Sequence, residues 1–191
     1  MKAPALAVAL FLGVARVGAG QAAVQQTIVP TVESAVEVRR QFLADLDSLH
    51  SRFVALANAF PADKYAWRPA PGVRSVGEVF MHVAAEYYVW TPTSYGMQRS
   101  AVIPQGREAM QKFEGASTKA DVMKHLADSF AYMHAQLDTI APASLAGQKN
   151  LWGGQRTIIE TSFAMSDDLH EHLGQLIAYA RMNGITPPWS R

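Results

Sequence analysis

Residues 75–92 read SVGEVFMHVAAEYYVWTP, and the fold turns on this stretch. Ser75 and Glu78 stand in the S-x-x-E order by which a cap hydroxyl and an acid three residues on satisfy each other's backbone donors, so a helix is expected to begin at Ser75. Val76, Val79, Phe80, Val83, Tyr87 and Trp90 recur at helical spacing and give it one apolar face. Pro92 is expected to end it near Trp90. His82 sits among these apolar residues, where an inward-pointing imidazole needs a polar partner or an ion.

Working outward, the segment before this helix, PADKYAWRPAPGVRS, holds three prolines and a glycine and reads as an irregular loop whose Tyr65 and Trp67 cap a bundle. Ahead of it, Val38, Phe42, Leu46, Leu49, Phe53 and Leu56 form one stripe on a helix from about Ser34 to Phe60, which Pro61 stops. After it, residues 91–117 are rich in Gly, Pro and Ser and suit a long crossover. A third helix fits about Thr118 to Ile140, with Val122, Leu126, Phe130, Met133 and Leu137 as its stripe. A fourth fits about Thr157 to Asn183, with Gly184 at its left-handed end and Pro187-Pro188 forbidding continuation. No segment alternates like a strand. The expected fold is therefore all-α, a four-helix bundle with a long crossover between helices 2 and 3.

The chain has 191 residues, 49% of them apolar, which fits one domain. Seventeen basic residues against sixteen acidic ones give a net charge of +1 with the signs interspersed, so no nucleic-acid footprint is present. The first residues, MKAPALAVALFLGVARVGAGQAAVQQ, place Lys2 ahead of an apolar run from Ala5 to Ala15 and then small residues, the order of a signal peptide over 1–23 with cleavage near 19–23. The run is shorter than the roughly 20 residues of a spanning helix, so no stable membrane anchor is expected after cleavage. The expectation is an exported periplasmic or extracellular protein whose domain is 24–191. Cysteine is absent, which excludes thiol nucleophiles, Cys-rich metal sites and a lipid-modified cysteine.

Asp168 and His172 are four residues apart on the fourth helix and project from one face, so both could reach a single ion. With His82 they make two imidazoles and a carboxylate, a set that suits zinc and accepts nickel, iron or manganese. By spacing alone, D-x-x-x-H more often describes a surface ion pair or a helix-internal hydrogen bond, and a lone His on an apolar face is usually a core residue bonded to a carbonyl or water. Glu86, one turn after His82, is a candidate general base or outer acceptor, or simply faces solvent. His170, turned about 200° from both Asp168 and His172, is the less favoured ligand. His125 with Asp128 reads as a solvated polar pair, His134 as an interhelical donor and His50 as a polar-face residue.

Two stretches, FPADKYAWRPAPGVRSVGEVFMHV (60–83) and DDLHEHLGQLIAYARMNGITPPWS (167–190), resemble the DinB family of metal-dependent four-helix proteins. The first resembles the family's proline-bearing loop and capped, histidine-bearing helix. The second resembles its closing helix, in which a histidine precedes Gly174-Gln175-Leu176. The resemblance implies a metal held by three histidines, matched by His82 and His172, with Asp168 standing where the family has its remaining histidine. Members of the family include thiol-dependent transferases and isomerases.

That resemblance implies a divalent-metal protein acting on an unidentified small molecule, as a metal-dependent hydrolase or a thiol-dependent transferase. An exported member favours metal-bound water over a cytosolic thiol. The alternative is a non-enzymatic bundle in which the ion is structural or cargo, or in which no ion binds. A homodimer is compatible with either.

Overall fold

A computed structural model describes residues 29–151 and 153–190. The signal-peptide expectation for 1–23 lies outside the described residues. Four long helical rods form the body, as expected for an all-α bundle. Helix α1 spans Val32–Ala59, with Thr31 accepting from the Ser34 amide at its start and Phe60-Pro61 at its end. Its stripe of Phe42, Leu46, Leu49, Phe53 and Leu56 is buried.

Helix α2 spans Val76–Ala85 and begins with the Ser75–Glu78 capping box. The proline-bearing loop completes that start: the Val76 and Gly77 amides donate to the carbonyls of Trp67 and Tyr65, both at 2.9 Å. All the orphan donors of the first turn are thereby used. Tyr65 in turn donates to the Ala57 carbonyl at 2.7 Å, which ties the loop to the end of α1.

Pro92 does not end this rod. A π turn over Glu86–Trp90 and a short helix α3, Thr91–Ser94, carry it on. Proline lacks the N–H that would bond the carbonyl four residues back, and its ring crowds that carbonyl. The wide turn relieves the crowding, and the Tyr88 carbonyl accepts from the Ser100 amide at 2.8 Å instead. The crossover also contains structure of its own, helix α4 over Arg107–Gly115.

Helix α5 spans Lys119–Asp138 and is followed by the short α6, Pro142–Leu145. Residues 148–157, for which the sequence pattern offers no strand, form an antiparallel hairpin of β1, Gln148–Leu151, and β2, Gly154–Thr157. Its strands are polar and short, so they carry no alternating signal; Gly153 at φ 76° supplies the turn. Thr157 ends the hairpin and starts helix α7, Ile158–Met182, through a second capping box with Glu160. Gly184 at φ 73° closes α7, with the Ile185 amide on the Ala180 carbonyl and the Gly184 amide on Arg181, the two bonds of a Schellman end.

The core lies where α1 runs along α7 and α2 along α5, with Phe53, Phe60, Phe80, Tyr87, Leu126 and Met133 fully buried. His134 of α5 meets Asp47 of α1 at 3.0 Å across the bundle. No helix among the described residues is long and apolar enough to cross a membrane.

His50 is not the polar-face residue that its position in the sequence suggests. Its ring stacks on Phe130 at 3.9 Å and 6°, and its Nδ1 is buried without a hydrogen-bond partner. Burial holds its pKa down to about 4, against a smaller upward pull from Asp47 and a further downward push from His134. A folded-state pKa below the unfolded value of about 6.5 means that the unfolded chain binds the proton better. Stability is then intact above pH 6.5 and falls as the pH drops toward 4. His50→Leu should flatten that fall, by about 2 kcal/mol at pH 4 after allowance for partial solvent contact. Melting curves of both proteins from pH 7 to pH 4 check this; parallel curves would refute it.

Candidate metal centre

Helix α2 and the π turn that continues it put His82 and Glu86 one turn apart, so both face α7. His172 on α7 faces back. The Nε2 atoms of His82 and His172 lie 3.3 and 3.1 Å from the same Glu86 oxygen, Oε1. The rings stand 4.8 Å apart, nearly perpendicular. One donor atom from each of the three residues lies within 4.8 Å of the others.

The electrostatics follow from burial. The Glu86 side chain is only 5% exposed. That desolvation pushes its pKa up, reinforced by Asp168 and only partly offset by the hydrogen bond and charge of His172 and by His82. Burial pushes the His172 imidazole down, but the hydrogen bond and charge of Glu86, with Asp168 and Gln175, outweigh it and raise the pKa. The Glu86 carboxyl between the two imidazoles is thus kept from water, its charged form disfavoured by burial and favoured by a positive partner.

Each imidazole is also held from outside the triad. The His82 Nδ1 lies 2.6 Å from Oε1 of Glu114, on α4, whose other oxygen meets Arg74 at 3.3 Å. Burial alone would raise the Glu114 pKa; the hydrogen bonds and charges of His82 and Arg74 prevail and lower it. An ionised Glu114 can only accept at Nδ1, which favours the tautomer with the proton on Nδ1 and the Nε2 lone pair of His82 directed at the triad. Gln175, which contacts His172, donates to the Tyr179 hydroxyl at 2.9 Å, and that hydroxyl donates to the Arg74 carbonyl at 3.2 Å.

The residues singled out by sequence are distributed as follows. His82 and His172 come together. Asp168 stands at the rim, its side chain 48% exposed and its Oδ1 3.8 Å from the His172 Nε2. The carboxylate between the imidazoles is that of Glu86. His170 points to α1, 3.4 Å from Asp45. His125 faces Tyr88 at 3.5 Å, and Asp128 pairs with Lys124. Glu114 was invisible to sequence reasoning, being 32 residues from its partner in a crossover without a motif. Glu86 did carry a signal: H-x-x-x-E on α2 has the same spacing as D-x-x-x-H on α7.

The donor set fits a metal ion. Ligand atoms about 2.0–2.1 Å from a common tetrahedral centre stand roughly 3.3 Å from one another, close to the two separations on Glu86. Two nitrogens and one oxygen are borderline donors, so they accept zinc, iron, nickel or manganese. Beside the triad, His82 also lines a cleft of about 540 Å³ that extends over Trp90 and α4.

Residues 45–176 match the DinB superfamily. No curated protein matches the chain.

Proposed function

This chain belongs to the DinB superfamily, and from that premise we propose that His82, Glu86 and His172 hold one divalent metal ion that serves a reaction on a small molecule. The observation that carries the reading is Glu86, buried and placed on the Nε2 atoms of two imidazoles at 3.1 and 3.3 Å. Zinc suits two nitrogens and a carboxylate best; nickel, iron and manganese accept the same donors.

When bound, such an ion would acidify a water or thiol in an open position, the chemistry of a hydrolase or a thiol-dependent transferase. The chain's own residues support that role. Glu114 favours the His82 tautomer with Nε2 free, Glu86 supplies the anionic ligand, and Trp90 packs with its ring 5.4 Å from that of His82. Asp168 borders the triad from the solvent side, where it serves as a further ligand or as an acceptor beside the ion. The cleft against His82 supports an open, reactive site. With residues 1–23 read as an export signal, water is the simpler nucleophile.

A non-enzymatic reading, in which the ion is structural or cargo, draws on the near-complete burial of Glu86. Elemental analysis of the tag-free 24–191 protein tests the common premise. Wild type should retain about one equivalent of a transition metal, and His82→Ala and His172→Ala should lose it. A wild type that takes up no zinc, nickel, iron or manganese would overturn the assignment.

A further inference from the structure

The cleft beside the triad carries a charge pattern that metal binding does not use. Arg74, Arg99 and Arg107 all line it, together with Trp90, Met110 and Glu114. Arg74 is occupied by Glu114 at 3.3 Å. Arg99 donates to the Ile103 and Pro104 carbonyls at 2.7 and 3.3 Å, bonds that hold the guanidinium in place without neutralising it. Arg107 is exposed at the start of α4. Among the described residues, no carboxylate lies within 4.0 Å of Arg99 or Arg107. Two uncompensated guanidinium groups therefore line a cleft whose other residues include the apolar Val89, Trp90 and Met110 and one carboxylate, Glu114, already paired with Arg74 and His82.

Planar guanidinium forks match carboxylate and phosphate oxygens, and a concave cationic wall concentrates anions. The volume of about 540 Å³ lies within the range of roughly 300–1,000 Å³ typical of small-ligand sites. We propose that the cleft binds a small organic anion, a carboxylate or phosphate ester with an apolar or aromatic body. Arg99 and Arg107 grip the anionic group, and Trp90 and Met110 pack the body beside His82. That this anion is the substrate of the triad rests on the metal-centre reading above; its binding does not.

The test is calorimetric titration of the folded chain, metal-free and zinc-loaded, with 3-phenylpropionate, phenyl phosphate and the neutral 3-phenylpropan-1-ol. At least one anion should bind about tenfold or more tightly than the alcohol, and its affinity should fall with added salt. Arg107→Gln and Arg99→Gln should each weaken anion binding roughly tenfold, leave alcohol binding unchanged and leave metal content unchanged. Arg107, exposed and making no side-chain hydrogen bond or ion pair among the described residues, keeps the test valid if Arg99→Gln disturbs its loop. The anion that binds more tightly identifies carboxylate or phosphate as the recognised group. Equal affinity for anion and alcohol, or an Arg107→Gln variant that binds the anion as wild type does, overturns the proposal. Anion selectivity in a chain that retains no metal would overturn the metal centre and leave the cleft assignment standing.

Discussion

Glu86→Gln should abolish metal loading while leaving the metal-free protein at least as stable as wild type. The two effects have different origins. The amide keeps the shape of the carboxylate but removes its charge, and with it the anionic donor shared by His82 and His172. Changing groups around a metal typically costs 10–100-fold in affinity, so loss of a direct ligand should exceed about 100-fold. An ion that binds only the folded chain adds about 2.7 kcal/mol at 100 times its dissociation constant, or roughly 5–10 °C in melting temperature for a domain of this size. Wild type should show that shift with added zinc, and Glu86→Gln should not. Without metal, the variant no longer buries a carboxylate that desolvation disfavours. His172→Ala makes a useful contrast, because it removes a ligand but strips Glu86 of the imidazole at 3.1 Å, so it should melt lower even without metal. A Glu86→Gln protein that still gains 5–10 °C on adding zinc would exclude Glu86 as a ligand.

Gly77→Ala, a single methyl group far from any donor atom, should damage both the fold and the site. An added Cβ at Gly77 would overlap the Ser117 carbonyl oxygen and come within 2.9 Å of the Ser117 Cβ. The obstacle is backbone and cannot swing aside. Overpacking of this kind costs typically 1–3 kcal/mol, and the better helix propensity of alanine offsets part of it. A net loss of about 2 kcal/mol, or roughly 4–8 °C, is expected. Ser117 comes just after the Ala116 cap of α4, so the same displacement should carry Glu114 away from the His82 Nδ1. Metal affinity should then fall about 10–100-fold even with all three ligands present. Gly174→Ala is the control: it lies on α7 with open space around its Cβ and should gain about 0.5–1 kcal/mol. Equal melting temperatures for the two variants would refute the close-approach argument.

Local chemistry made much of the bundle legible. The Ser75–Glu78 capping box, the α1 stripe from Phe42 to Leu56 and the Gly184 end of α7 each act within a few residues, and each stands in the structure. The start of α7 belongs with them, since Thr157 and Glu160 repeat the capping-box order. Pro92 misled because its effect depends on a partner elsewhere: with Ser100 taking up the Tyr88 carbonyl, the rod passes through it. At the site, spacing could rank neither acid. Glu86 stands four residues from His82, as Asp168 does from His172, and only the packing of α2 against α7 buries one and leaves the other half exposed. Glu114 and the cleft arginines are assembled from a crossover, where no periodicity connects them to the helices they face.

The triad also has an order in time. His82 and Glu86 are made early, whereas His172 lies in the last helix, about 90 residues later, so at typical synthesis rates some 5–20 s separate the two halves. Until α7 docks, the growing chain offers two donors on one helix and nothing across from them. On the proposal that the triad holds an ion, the complete donor set exists only once the last helix has been made and has docked.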